Sequence, residues 1–225
     1  MSWRLWRTYA HPDGAAPGTI EAKLMTLAAA NRGNIDIDLA VAKFKGTVFE
    51  STRMFTERRF GPAGVAKVLA ALSDEDRQIL SNVQVIGWYP VEPVLRYHHA
   101  LERTFGTGDF ALCTAAGKFS ATWSMNTMLK AFLRFKSPTW LVDKATRVWD
   151  RYHDTGRWEV ASPASNRILG TLSGYAVKDL AFCARLRGWL QGAIEATGGK
   201  NGNVSETRCA CRGHENCVFS LSWGA

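Results

Sequence analysis

The apolar positions of this chain change period in its final third. From Lys45 to Leu80, KGTVFESTRMFTERRFGPAGVAKVLAALSDEDRQIL, they recur at three- and four-residue spacing, the signature of helices that bury one face. Gly61-Pro62 and Ser73-Asp74 interrupt that pattern and are suited to opening new helices. VQVIGWYPVEP, residues 83–93, is a short apolar segment whose prolines exclude a helix interior, so it reads as a structural bend before a helix, with Trp88 or Tyr89 gating a cavity as the alternative. Three further helical segments follow, Val94 to Phe105, Asp109 to Phe135 and Pro138 to His153. Beyond them RWEVAS and RILGTLSGYA alternate as two strands joined by PASN. DLAFCARLRGWLQGAIEATGG reads as a helix with Asp179 at its start and Gly198-Gly199 past its end. Two last strands, Asn203 to Cys209 and Cys217 to Trp223, flank ACRGHEN, and in the second Cys217, Phe219, Leu221 and Trp223 share one face. The expected class is therefore α+β, a helical N-terminal part packed on an antiparallel sheet, with a β-β-α-β-β module at the C-terminal end.

Residues 1–40 read as a separable N-terminal extension: AHPDGAAPG is turn chemistry, TIEAKLMTLAAAN a short helix, NIDIDLAV an alternating strand. Residues 41–225 are expected to form a single α+β ligand-binding domain. A chain of 225 residues buries roughly 70–75% of its unfolded surface, so neither disulfides nor a metal are needed to make a core. The early residues contain no signal-peptide core, and no stretch reaches the roughly 20 apolar residues of a membrane span; a cytoplasmic protein is the expectation. Five cysteines without an export signal point to thiols that are free or metal-bound. The net charge of +8 brings nucleic acid into question. Between Lys130 and Arg157, however, seven Lys/Arg and three Asp alternate with aromatic residues, as on an amphipathic helix, and no nucleic-acid-binding motif accompanies them. A nucleic-acid partner is set aside.

The densest chemistry lies in ETRCACRGHENC, residues 206–217. A structural zinc site takes four soft or borderline ligands. One set is local: Cys209, Cys211, His214 and Cys217. It is cramped, because the short loop must fold back sharply to bring His214 alongside. A second set adds Cys183, which shares a helix face with Leu186, Leu190 and Ile194, to Glu206, Cys209 and Cys217. Glu206 and Cys209 are three apart and project to opposite faces of a regular strand, so this set requires a bulge or a strand end near Cys209. The bland alternative makes these cysteines small buried hydrophobes.

Cys183, Glu206, Cys209 and Cys217, with Gly213 between the last two and the closing strand CVFSLSW, resemble the 4-vinyl-reductase domain over roughly residues 155–224. That hydrocarbon-binding, TRAPP-like module occurs in a bacteriochlorophyll-synthesis protein and in phenol-responsive activators. Related domains share the architecture of TRAPP vesicle-tethering subunits and resemble haem nitric-oxide sensors. KGTVFESTRMF, GWYPVEP, LRFKSPTWLVDKATRVWDRYHDTGRWEV and FCARLRGWLQGAIEATGGK are also similar to an uncharacterised myxobacterial family. The resemblance implies a structural zinc on Cys183, Glu206, Cys209 and Cys217, with Cys211 and His214 as bystanders. It also implies a pocket for a hydrophobic or aromatic molecule.

Candidates to line that pocket are Phe119, Trp123, Met128, Phe132, Phe135, Trp149, Tyr152 and Trp189, with Tyr152 or His153 supplying a polar group; each taken alone also reads as core. His98-His99 raises haem, but adjacent helical residues point about 100° apart, so only one faces a pocket, and the surrounding segment differs from a nitric-oxide sensor's. Haem is set aside. No acid, base or nucleophile stands in a recognisable catalytic arrangement, and Cys113 reads as packing. The expectation is a zinc-stapled sensory or binding module, signalling through a protein partner or a homodimer. The alternatives are a dimeric TRAPP-like scaffold and an enzyme on a tetrapyrrole or aromatic substrate.

Overall fold

In a computed structural model of the chain, residues 36–37, 42–128 and 138–224 are described, and Asp36–Ala225 form one compact unit distinct from Met1–Ile35. Within it β1 (Asp36–Ile37) precedes β2 (Lys43–Lys45), α1 (Gly46–Ala70), α2 (Asp74–Ser81), β3 (Trp88–Pro90), α3 (Val91–Phe105) and α4 (Ala111–Met128). After α5 (Pro138–Tyr152) come β4 (Arg157–Ala164), β5 (Arg167–Ser173), β6 (Val177–Lys178), α6 (Leu180–Ala196), β7 (Lys200–Arg208) and β8 (Cys217–Gly224). The main sheet is antiparallel with order β4-β5-β8-β7, and α6 packs against β7 and β8. The architecture is α+β, helices on an antiparallel sheet.

Local chemistry explains most boundaries. Gly61 takes φ 72°, ψ 176° and kinks α1 just before Pro62, which lacks the N–H that the interrupted ladder would have used. Ser73 caps α2 by accepting from the Asp76 N–H at 3.2 Å. Asp179 caps α6 by accepting from the Phe182 N–H at 2.8 Å, while its other oxygen meets His99 Nε2 at 2.7 Å. Lys45, placed by periodicity at the head of the helical region, instead ends the strand Lys43–Lys45, which pairs with Trp88–Pro90; a three-residue strand is too short to show its own period.

Helices α4 and α6 cross at contact distance because glycine lines the crossing. A Cβ on Gly117 would stand 1.9 Å from the Arg185 carbonyl, and one on Gly188 1.9 Å from the Thr114 carbonyl. On the sheet, Cys217, Phe219 and Leu221 are buried on the face turned to α6, opposite Leu172, Gly170 and Ile168 of β5. Trp158 lies over Gly170, where a Cβ would meet its ring at 2.3 Å. Two faces of α6 are thus used at once, one against α4 and one against the sheet.

A candidate ligand cavity and a thiol–carboxylate cluster

Between helices and sheet lies a cavity of about 90 Å³. Thr47 and Val48 of α1, Ser120 and Ser124 of α4, and Pro138, Val148, Trp149 and Tyr152 of α5 line it on one side. Trp158, Val160, Ile168 and Leu221 close it from the sheet, and α6 contributes Phe182, Arg185, Leu186, Trp189, Leu190 and Ile194. His153, just past α5, also lines it.

Of the eight expected lining residues, Trp149, Tyr152 and Trp189 line the cavity. Phe119 and Trp123 do not: the Phe119 ring packs against Phe55 at 6.0 Å and lies under Arg58, on another face of α4. Phe132 and Phe135, and the Met128 side chain, lie outside the described residues. Trp88 and Tyr89 are not in the lining either; Tyr89 accepts from the Gln84 N–H at 2.8 Å, and Trp88 stands under Lys45 Nζ.

His153 sits in an aromatic box. Trp149 stacks on it at 4.0 Å, Phe44, Tyr175 and Phe182 meet it edge-on at 5.1, 5.6 and 5.7 Å, and the Tyr175 hydroxyl is 3.2 Å from Nδ1. Burial, with the Arg185 charge nearby, pulls its pKa down to about 3, so the ring is neutral. His98 and His99 are outside the lining. His98 Nε2 is 3.1 Å from Thr52 Oγ1 and His99 is held by Asp179. Arg185 was missed by sequence reading, since one arginine on an amphipathic helix carries no sign that it points inward.

The second constellation joins α6 to the β7–β8 hairpin. One ligand atom from each of Cys183, Glu206, Cys209 and Cys217 lies within 4.8 Å of the others. The pairing of β7 with β8 shifts register between Glu206 and Arg208, and this extra residue turns Glu206 and Cys209 to the same side. The Ala210–Arg212 turn, ended by Gly213 at φ 87°, then folds back so that the Ala210 N–H points at Cys217 Sγ at 3.3 Å. Cys183 Sγ is 3.8 Å from the sulfurs of both Cys209 and Cys211. His214 Nδ1 stays with the Cys209 backbone. Glu206 Oε1 is buried without a hydrogen-bond partner among the described residues. Burial first, then hydrogen bonding and repulsion from Glu206, push Cys209 up to about 12. Cys113 is fully buried away from this cluster, its N–H given to Glu102 Oε1 at 2.9 Å.

By sequence no protein-family model matches the chain, and no curated protein does. By structure the similarity is clear. The A71G variant of an unliganded Fe(II) H-NOX protein from K. algicida matches with TM-score 0.62 and 14% identity, over 80% of this chain and 97% of that one. An H-NOX protein from S. oneidensis in the Fe(II)NO ligation state gives TM-score 0.65 and 16% identity, over 80% and 99%. A structure from work on heme distortion in the H-NOX family gives 0.59 and 11%, over 80% and 95%. The fold is the H-NOX fold.

That finding corrects the sequence reading. The 4-vinyl-reductase and TRAPP-like assignment falls, because the solved structures sharing this fold are H-NOX domains. With it fall the zinc-stapled hydrophobic-ligand module, its TRAPP-like scaffold alternative, zinc as the cofactor, and the dismissal of haem, since those structures are described by heme or by iron-ligation state. The physical reason is that the resemblance rested on a cluster fastening one helix to one hairpin. Such a fastening reports nothing of what the neighbouring cavity holds. Among the described residues, no helix is long and apolar enough to cross a membrane.

Proposed function

We propose that this chain is a sensory domain that holds a haem in the cavity between helices and sheet and relays its state to a partner protein. The reading rests on one observation: an H-NOX-type fold presents to its cavity the imidazole of His153, held neutral among aromatic rings. A neutral imidazole is the form that donates to a metal, and mostly apolar walls suit a macrocycle. Arg185, in the same lining, offers a positive partner to a propionate. The cavity is partly open, not sealed. When bound, haem supplies an iron that takes small gases.

The chain's own residues set the conditions. Trp149 and Phe182 fix the plane of the His153 ring, the Tyr175 hydroxyl pairs with Nδ1 at 3.2 Å, and Ile168, Leu190 and Leu221 give the cavity apolar walls. The test is titration of the purified full chain with hemin. Stoichiometric binding with a Soret band that His153→Gly abolishes and added imidazole restores is expected; no saturable uptake, or a spectrum unchanged in the variant, sinks the reading.

A second, separate reading concerns the cluster. We infer that Cys183, Glu206, Cys209 and Cys217 hold a soft metal ion. What supports it is the orphaned Glu206 oxygen among three sulfurs, a buried carboxylate arrangement that a cation stabilises. Elemental analysis of untagged protein tests it: about one equivalent of a single metal per chain is expected, and a metal-free folded protein after purification without chelator refutes it.

A further inference from the structure

Arg185 is 5% exposed, and among the described residues no carboxylate pairs with it. Its Nη2 donates to Ser120 Oγ at 3.1 Å, to the Val48 carbonyl at 3.3 Å and to Ser51 Oγ at 3.4 Å, and its Nε to Thr52 Oγ1 at 3.5 Å. All four acceptors are neutral, and all four distances exceed the about 2.7–2.9 Å of a bond to an anion. Nη1 makes no hydrogen bond among the described residues. Arg96, by contrast, is only half-buried yet grips both oxygens of Asp76 at 2.6 Å.

A buried guanidinium without a counter-charge is costly, because desolvation is not repaid by attraction. Burial lowers its pKa to about 10, which still leaves a cation at neutral pH. The nearby imidazoles of His98 and His153 are neutral and the Cys113 thiol is held protonated, so none supplies negative charge. Arg185 lines the cavity together with Val48 and Ser120, two of its own hydrogen-bond partners. The missing charge therefore belongs on the cavity side.

We propose that Arg185 is the receptor for a carboxylate carried by the cavity's ligand, whose apolar body lies against Trp149, Trp158, Leu190 and Leu221. The inference rests on the cavity being a ligand site, as proposed above, and not on the ligand being haem. Two sources share the chemistry: the propionate of a haem, or a free aromatic acid.

The experiment compares two pairs of probes on the full chain. Benzoate is set against benzamide by thermal unfolding, and hemin against its dimethyl ester by absorbance titration, each with wild type, Arg185→Met and Arg185→Lys. A carboxylate-over-neutral preference of tenfold or more in either pair, lost in Arg185→Met and partly kept in Arg185→Lys, is the expected result. The pair that shows it names the source. Equal binding within both pairs, or a preference that survives Arg185→Met, overturns the proposal. Should the methionine variant fail to fold, the wild-type pairs and the lysine variant decide. Hemin and its ester binding equally tightly, with benzoate and benzamide also equal, would leave the haem reading standing and this one fallen; Arg185-dependent benzoate binding without a Soret band would do the reverse.

Discussion

The Tyr175 hydroxyl lies 3.2 Å from Nδ1 of His153, and the same imidazole stacks on Trp149. A ring held this way has one nitrogen satisfied by protein and both faces and edges against aromatic carbon, so its neutral state is a property of the fold.

Stability should therefore fall on acidification. His98 is fully buried with its pKa well below the usual 6.5, chiefly through burial, and His153 is lowered to about 3. In the unfolded chain both take up a proton near pH 6.5, while the folded chain does not, so the unfolded state binds more protons below that pH. The unfolding free energy is flat above about pH 7.5 and drops below about pH 6.5, by up to about 1.4 kcal/mol per pH unit for His98, with His153 adding in the same direction. Urea titrations across that range check this. A midpoint that holds or rises on acidification contradicts it.

Gly188→Ala should destabilise the fold by about 1–3 kcal/mol, because the new methyl would stand 1.9 Å from the Thr114 carbonyl and force α4 from α6. Gly198→Ala meets no neighbour within 4 Å but sits at φ 92°, so its cost, about 1 kcal/mol, is conformational only. Chemical denaturation of the two variants separates crowding from backbone strain.

Arg96→Met leaves the 2%-exposed Asp76 without the guanidinium that holds both its oxygens. Arg96 is itself 34% exposed, so solvent screens the pair and the expected loss is about 1–3 kcal/mol, read as a lower urea midpoint at neutral pH.

On the proposed metal reading of the cluster, Cys183→Ser, Cys209→Ser and Cys217→Ser should each lose the expected metal equivalent in elemental analysis and lower the unfolding temperature. Cys113→Ser and Cys211→Ser should keep it. Metal retained in Cys183→Ser together with loss in Cys211→Ser would move the site onto the turn.

Much of the secondary structure could be read directly from the residues. The face shared by Cys217, Phe219 and Leu221 shows in the alternation, and the caps at Ser73 and Asp179 show because a side-chain oxygen ahead of a helix has one job. The register shift beyond Glu206 is different. A bulge was required by one grouping of the thiols, yet no residue type announces it. The cavity was legible only on α5 and α6, whose rings recur at helical spacing. Its sheet wall, Trp158, Ile168 and Leu221, sits on separate strands, and only the pairing order brings these side chains together. Arg185 was hidden for the converse reason: a helix that buries two faces keeps only a narrow exposed strip, which Glu195 occupies, and sequence periodicity does not show that Arg185 falls outside it.

Asp179 at the cap, Cys183 toward the hairpin and Arg185 toward the cavity occupy less than two turns of one helix. Pulling the sulfur end out of place shifts the guanidinium as well, since no joint separates them. A chelator stripping the hairpin and a molecule filling the hollow would be pushing on opposite ends of the same short rod, so each should be felt at the other's address.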